Sequence, residues 1–153
     1  MKDYAPIFID AWSEVLASFS SKKILSADIV AEQEPITPSD ISVIMSIVGA
    51  VDGDVFLSMD EETGTTLASE MLGGMDVSGK GEIIKSAVGE LCNMVMGSVC
   101  SGMGGVDRDV DITPPSVFSY EEAASLERTS SLCISLLLEG MGFVDFEVSI
   151  RSA

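Results

Sequence analysis

Ser86-Ala87-Val88-Gly89-Glu90-Leu91-Cys92-Asn93-Met94-Val95-Met96-Gly97 reads as the middle of a helix running from about Gly81 to Gly102. Ile84, Val88, Leu91, Val95 and Ser98 recur at spacings of three and four, which draws a core-facing stripe. At about 100° per residue, Ser86, Glu90, Asn93 and Gly97 make a second stripe, turned well away from the first. One face is therefore greasy, and the other offers a carboxylate and a carboxamide a turn apart. Asn is a poor helix former and a mid-helix glycine costs roughly 1 kcal/mol relative to Ala, so Asn93 and Gly97 point to a selection other than helix propensity. Polar residues on an exposed helix face are nonetheless ordinary surface, and Glu three positions before Asn is common by chance. The pair takes its meaning from the rest of the chain.

Working outward, Ser78-Gly79-Lys80-Gly81 is a break before that helix. Further upstream, Asp60 reads as the N-cap of a helix over Glu61–Leu72, with acidic residues in its first turn and Gly73-Gly74 as its stop. Val51-Asp52-Gly53-Asp54 predicts a hairpin turn between a largely buried, β-branched strand, Ile41–Val48, and Val55–Met59. Pro35–Asp40 is a turn or edge segment, and Ala27–Glu34 can extend. Tyr4 to about Ser20 is a first helix with Ile7, Phe8, Ala11, Trp12, Val15 and Phe19 on one side. Downstream, Gly102-Met103-Gly104-Gly105 closes the long helix and Val106–Thr113 extends. Val117–Tyr120 is a short strand, and Glu121–Glu127 an acidic loop or helical turn. Ser130–Leu138 and Phe143–Ile150 are strands around the Glu139-Gly140-Met141-Gly142 turn. This order predicts an α+β layered domain, a mainly antiparallel sheet packed by long helices, with no linker dividing residues 1–153.

The chemistry is bounded by composition. Eight basic against 25 acidic residues give a formal charge of −17, which disfavours nucleic acid, anionic membrane surfaces and free polyphosphates as ligands. Histidine is absent, which removes the commonest general base, the commonest zinc ligand and every Ser-His or Cys-His nucleophile. Cys92, Cys100 and Cys133 are odd in number, lie in apolar surroundings and read as reduced core cysteines. With no signal pattern and no apolar run judged long enough to cross a bilayer, a cytoplasmic protein is expected. Asp107, Asp109 and Asp111 alternate as on a half-exposed strand and lack the glycine and later glutamate of a calcium loop, so no metal is expected there. Met71, Met94, Met96 and Met103 read as packing residues.

Sliding the chain by 76 residues pairs Ile7 with Ile83, Ala11 with Ala87, Glu14 with Glu90 and Val30 with Val106. It also pairs Ile36-Thr37-Pro38 with Ile112-Thr113-Pro114. The halves, about 4–74 and 80–151, thus read as pseudo-symmetric helix-plus-strands repeats. In this register Asp10 falls on Ser86 and Ala17 on Asn93, so that only the second half keeps the carboxamide.

Ser86-x-x-x-Glu90-x-x-Asn93, followed by Asp111-Ile112-Thr113-Pro114-Pro115, resembles the motif of the CheC/CheX/FliY family of chemotaxis phosphatases, and of its CheX-like members in particular. Asp52–Met59 and the Glu61–Gly74 stretch resemble the same family, so that the likeness covers nearly the whole chain. CheC-like members carry the motif twice, whereas Asp10-x-x-x-Glu14-x-x-Ala17 lacks the amide, as a CheX-like member would. The resemblance implies hydrolysis of the aspartyl phosphate of a CheY-like response regulator, and a homodimer joined through its sheets. Its site residues would be Glu90 and Asn93, with Ser86 and Gly97 leaving room for the partner's backbone. It implies no cofactor of the chain's own, Mg2+ being supplied in the partner regulator. Two rival readings stand beside it. One is a non-catalytic adaptor that binds a receiver domain or flagellar switch component; the other is a structural or small-ligand module that has lost the task.

Overall fold

In a computed structural model, described for residues 4–31, 35–104, 109–128 and 132–152, three helices cover one face of an antiparallel sheet. Helix α1 (Ala5–Phe19) is followed by β1 (Ile24–Ala31), β2 (Ile41–Gly49) and β3 (Asp52–Met59). Then come α2 (Glu61–Met71), α3 (Gly81–Gly104), β4 (Val110–Ile112), β5 (Ser116–Ser119), α4 (Tyr120–Ala124), β6 (Leu132–Leu138) and β7 (Gly142–Ser152). The strands lie in the order β1-β6-β7-β3-β2-β4, with β5 also on β2, and every pairing among the described residues is antiparallel.

That order is symmetric about the central β3–β7 pair. On either side stands the middle strand of one half, then the edge strand or strands of the other. Period-2 alternation sends Val43, Met45, Val55, Leu57, Ile134, Leu136, Val144 and Phe146 toward the helices. Phe8 and Trp12 of α1, each 1% exposed, fill the space above them, with the Phe8 and Phe146 rings 5.6 Å apart. Each such side chain contributes about 1.5–3 kcal/mol by leaving water.

On the opposite face, the connections into β2 and β6 cross the middle of the sheet. Arg128 lies over the Phe56 ring at 3.7 Å, places Nη1 3.7 Å from Glu147 Oε2, and donates from Nη2 to Ile36 O at 2.7 Å. Glu147 also accepts from Ile36 N–H, and Ser58 Oγ accepts from Ser39 N–H at 2.7 Å. Burial pushes the Glu147 carboxyl upward, against the opposing pull of the Ile36 N–H and the guanidinium.

Most predicted elements stand, with informative shifts. Asp60 caps α2 by accepting from Thr63 N–H at 2.7 Å, and Gly73 and Gly74 end it at φ +72° and +91°. The predicted hairpin turn lies elsewhere, because Asp52 and Gly53 are already in β3. The reversal falls at 49–51, where Gly49 has φ +109° and Ala50 N–H donates to Asp109 O at 2.7 Å. Gly53 instead allows close approach to β7: a Cβ there would sit 2.5 Å from Ser149 O. The first strand starts three residues earlier than predicted, and its predicted end at Glu34 lies outside the described residues, as do Val106 and Ser130. Ser98 is half-buried and leaves the core stripe, which continues instead through Cys92, Met96 and Val99. Of Glu121–Glu127, the first four residues lie in the helical α4 and the rest in the loop after it, the helix being opened by a capping box between Ser119 and Glu122.

One expectation is overturned. Gly81–Met103, with mean hydropathy 1.3, is long and apolar enough to cross a bilayer by length and composition. Half of that window is buried inside the domain, because the hydropathy that passes the length test is largely the core stripe of a packed helix.

Candidate functional site

Helix α3 carries two faces that the packing separates cleanly. Ile84, Val88, Leu91, Val95 and Val99 are at most 2% exposed and point into the core. On the other side Ser86, Glu90 and Gly97 are exposed and Asn93 is half-buried, so that they form one outward ridge. Glu90 and Asn93 are three residues apart, which places their side chains as surface neighbours one turn apart. Among the described residues neither makes a recorded hydrogen bond or ion pair with the rest of the chain. The sequence-predicted residues are therefore brought together, outward-facing and uncommitted.

The ridge is held from behind. Gly89 lets the helix settle against the segment before β5; a Cβ there would lie 3.3 Å from Val117 Cγ2 and 3.8 Å from Pro115 Cγ. The proline stretch about twenty residues after the Glu/Asn pair thus backs the very turn from which Glu90 projects. Cys92, between Glu90 and Asn93 but on the inward face, has its thiol pushed up to about 12 by burial and supplies no thiolate. Cys100 is shifted upward by burial and, secondly, by Asp111.

Two open grooves flank the ridge. One, of about 410 Å3, lies between α2 and the first turns of α3 and is lined by Met71, Leu72, Ile83, Ala87, Ser86 and Glu90. Leu72 and Ile83 are 42% and 40% exposed, an apolar surface beside the Glu90 carboxylate that periodicity did not reveal. Ile83, the counterpart of Ile7 in the 76-residue register, is turned to solvent by the helix. The other groove, of about 810 Å3, runs between α1 and the second half of α3. Met94, on its lip, is 37% exposed, whereas Met96 and Met103 are core residues as expected.

The first-half counterparts sit on the outer face of α1. Asp10, Glu14 and Ala17 are all exposed, and Glu14 Oε2 accepts from Ser98 Oγ at 3.2 Å. Of the three alternating aspartates, Asp107 lies outside the described residues, and Asp111 Oδ1 accepts from Ile112 N–H at 2.8 Å. Among the described residues, no group of three or more Cys, Asp or Glu is arranged to hold a metal ion.

Residues 41–139, about two thirds of the chain and including the whole ridge, match the family model described as chemotaxis phosphatase CheX. The chain belongs to the CheX family. Among curated CheX proteins it is 35% identical over 82 residues to the CheY-P phosphatase CheX of Thermotoga maritima, a match covering 54% of this chain and 53% of that one. The chain thus spans about half the length of that curated relative. Solved structures extend the likeness of fold over the whole domain. CheX from Vibrio vulnificus superposes with TM-score 0.82 at 22% identity, covering 97% of this chain and 99% of that one. The CheX in a CheX–CheY–BeF3–Mg2+ complex from Borrelia burgdorferi gives TM-score 0.78 at 23% identity, covering 97% and 98%. These neighbours have the same α+β architecture, with helices on an antiparallel sheet.

Proposed function

We propose that this chain hydrolyses the aspartyl phosphate of a CheY-like response regulator, with Asn93 orienting the attacking water and Glu90 pairing with a lysine of the regulator. The observation that carries the reading is the ridge itself. A carboxylate and a carboxamide stand one turn apart on the outer side of α3, exposed or half-buried, and bound to nothing among the described residues. The Thermotoga relative is named a CheY-P phosphatase, and the Borrelia CheX was solved with CheY.

The chemistry suits these residues. Water attacks phosphorus in line, the bond from phosphorus to the aspartyl oxygen breaks, and the carboxylate and inorganic phosphate are released. Catalysis of such a step is mainly positioning and charge stabilisation. A chain with formal charge −17 and no histidine is poorly equipped to neutralise a phosphoryl group. In this reading the regulator brings the neutralising charge as its own Mg2+ and lysine. What remains to be supplied in trans is a neutral group that donates to and accepts from one water, which a carboxamide does. Glu90 then contributes docking by a charge-assisted contact.

Asn93→Ala is expected to lower the rate by roughly 10²–10³, on the scale of losing one preorganised group. The test is aspartyl-phosphate decay across a panel of phosphorylated receivers at constant magnesium, with wild type and Asn93→Ala side by side. Binding without acceleration would favour the adaptor reading, and neither binding nor acceleration would favour a module that has lost the task.

The same reading takes the chain as a homodimer working in the cytoplasm, where a CheY-like substrate resides. Strand β1 favours the dimer: it ends the sheet with one side unpaired among the described residues, and bears Leu25 and Val30 at 60% and 40% exposure. We further propose that residues 4–74 and 80–151 are repeats of one unit. The 76-residue register carries buried Phe8, Trp12, Val15 and Leu16 onto buried Ile84, Val88, Leu91 and Cys92, and the strand order has matching symmetry.

A further inference from the structure

We infer that Thr113 is a positioning residue for the α3 ridge: its hydroxyl closes the gap that Pro114 and Pro115 open in the sheet edge, and so fixes the surface on which the Glu90–Asn93 turn rests. This rests on the proposed function and adds to it a residue that acts on the site through α3.

The edge beside β2 is built in two pieces. Ile112 of β4 pairs with Ile47, and Ser116 of β5 pairs with Ile44, so that Thr113, Pro114 and Pro115 stand opposite only Met45 and Ser46. The chain bulges there, and neither proline has an N–H to give to the ladder. Thr113 closes the interval with its N–H and its hydroxyl together. The N–H donates to Ser46 O at 2.9 Å, and Oγ1 accepts from Ser46 N–H at 2.9 Å, where a regular ladder would offer a backbone carbonyl.

What this bulge carries is α3. A Cβ at Gly89 would lie 3.3 Å from Val117 Cγ2 and 3.8 Å from Pro115 Cγ, so the helix has little slack against the edge. Gly89 is the residue before Glu90 and stands four before Asn93, which puts the support directly under that turn. The Asn93 side chain is short and half-buried, whereas that of Glu90 is longer and exposed. A shifted turn therefore misplaces the amide more than the carboxylate. The first half supplies the contrast. Ile36-Thr37-Pro38 is the counterpart of Ile112-Thr113-Pro114 in the 76-residue register, but Ile36 bonds to Arg128 and Glu147 across the far face of the sheet, and Thr37 makes no recorded hydrogen bond among the described residues. The threonine clamp and the carboxamide occur in the same half.

The test uses the full chain and a CheY-like receiver, whose phosphorylated form gives kcat and KM for decay and whose beryllofluoride–Mg2+ form gives Kd. Thr113→Val keeps the shape and removes the hydroxyl. It should lower kcat about five- to tenfold, because a small displacement of a positioning group is costly, and leave KM and Kd within about threefold. Thr113→Ser restores the acceptor and should return kcat to within about twofold of wild type. Thr113→Val should also lower Tm by a few degrees, since Ser46 N–H is left unpaired. Ile134→Val, a 1% exposed position on the other half of the sheet, should lower Tm to a similar extent and leave kcat unchanged. If Thr113→Val does not fold, Gly89→Ala decides. Its methyl presses on Val117 from the helix side and should lower kcat about threefold or more, and a wild-type kcat there overturns the inference. If Thr113→Val folds and keeps kcat within about twofold, or if Ile134→Val loses as much kcat as Thr113→Val, the inference is wrong and the proposed function stands. If wild type leaves the decay of the receiver unchanged, the proposed function falls and this inference falls with it.

Discussion

On α1 the Glu14 carboxylate accepts from Ser98 Oγ, and three residues later Ala17 offers no polar side-chain atom. On α3, 76 residues further along, Glu90 has no recorded partner among the described residues and Asn93 presents a carboxamide. The inward faces of these helices obey one rule: Phe8, Trp12, Val15 and Leu16 are buried just as Ile84, Val88, Leu91 and Cys92 are. Packing against a shared sheet therefore leaves the outward side chains undetermined, and it is there that the helices differ. The difference teaches where to look for function. A polar pair bonded to its own chain is surface architecture, whereas a polar pair kept open on a well-anchored helix is available to a partner.

That comparison can be broken first at its common part. Trp12→Ala and Leu91→Ala should each destabilise the domain by about 2–5 kcal/mol, since both remove fully buried side chains and leave cavities. Chemical denaturation checks this, and a cost under about 1 kcal/mol for either would mean that the inward faces are not equivalent. A smaller effect is expected at the outward carboxylate of α3. Glu90→Ala should raise the KM for a phosphorylated receiver about tenfold and change unfolding by no more than about 0.5 kcal/mol, as expected for an exposed position. The loss should shrink as salt is raised, because the contact is a surface charge pair. The smallest effect belongs to α1. Glu14→Ala loses one exposed hydrogen bond to Ser98 and should alter the dephosphorylation rate by less than about threefold. A Glu14→Ala defect as large as that of Glu90→Ala would erase the distinction between the helices.

Much of this was legible in the sequence where the determining interactions are local. Asp60 and Gly73-Gly74 bracket α2 through contacts a few residues apart, and the 3.6-residue period alone put Glu90 and Asn93 on the outward face of α3. Local signals failed where a distant strand decides. Asp52-Gly53 carries hairpin chemistry, yet Gly53 is held in β3 by the backbone of Ser149, nearly a hundred residues away. The pair of half-buried Arg128 with buried Glu147 was equally invisible, since it depends on one crossing connection meeting β7 on the far side of the sheet. At the site, the apolar surface of Leu72 and Ile83 arises only once α2 lies beside α3. Hydropathy misled for a related reason: α3 is apolar enough for a bilayer because one of its faces is core.

The central claim is that a single outward amide on α3 fixes the water that attacks a partner's acyl phosphate. Its most direct test is the decay rate of a phosphorylated CheY-like receiver under saturating protein, at constant Mg2+, for wild type and Asn93→Ala. The account predicts a saturating rate lower by roughly 10²–10³ in Asn93→Ala, with affinity for the beryllofluoride form of the receiver within about threefold, because the amide acts on water more than on docking. An Asn93→Ala protein whose saturating rate equals that of wild type would contradict it.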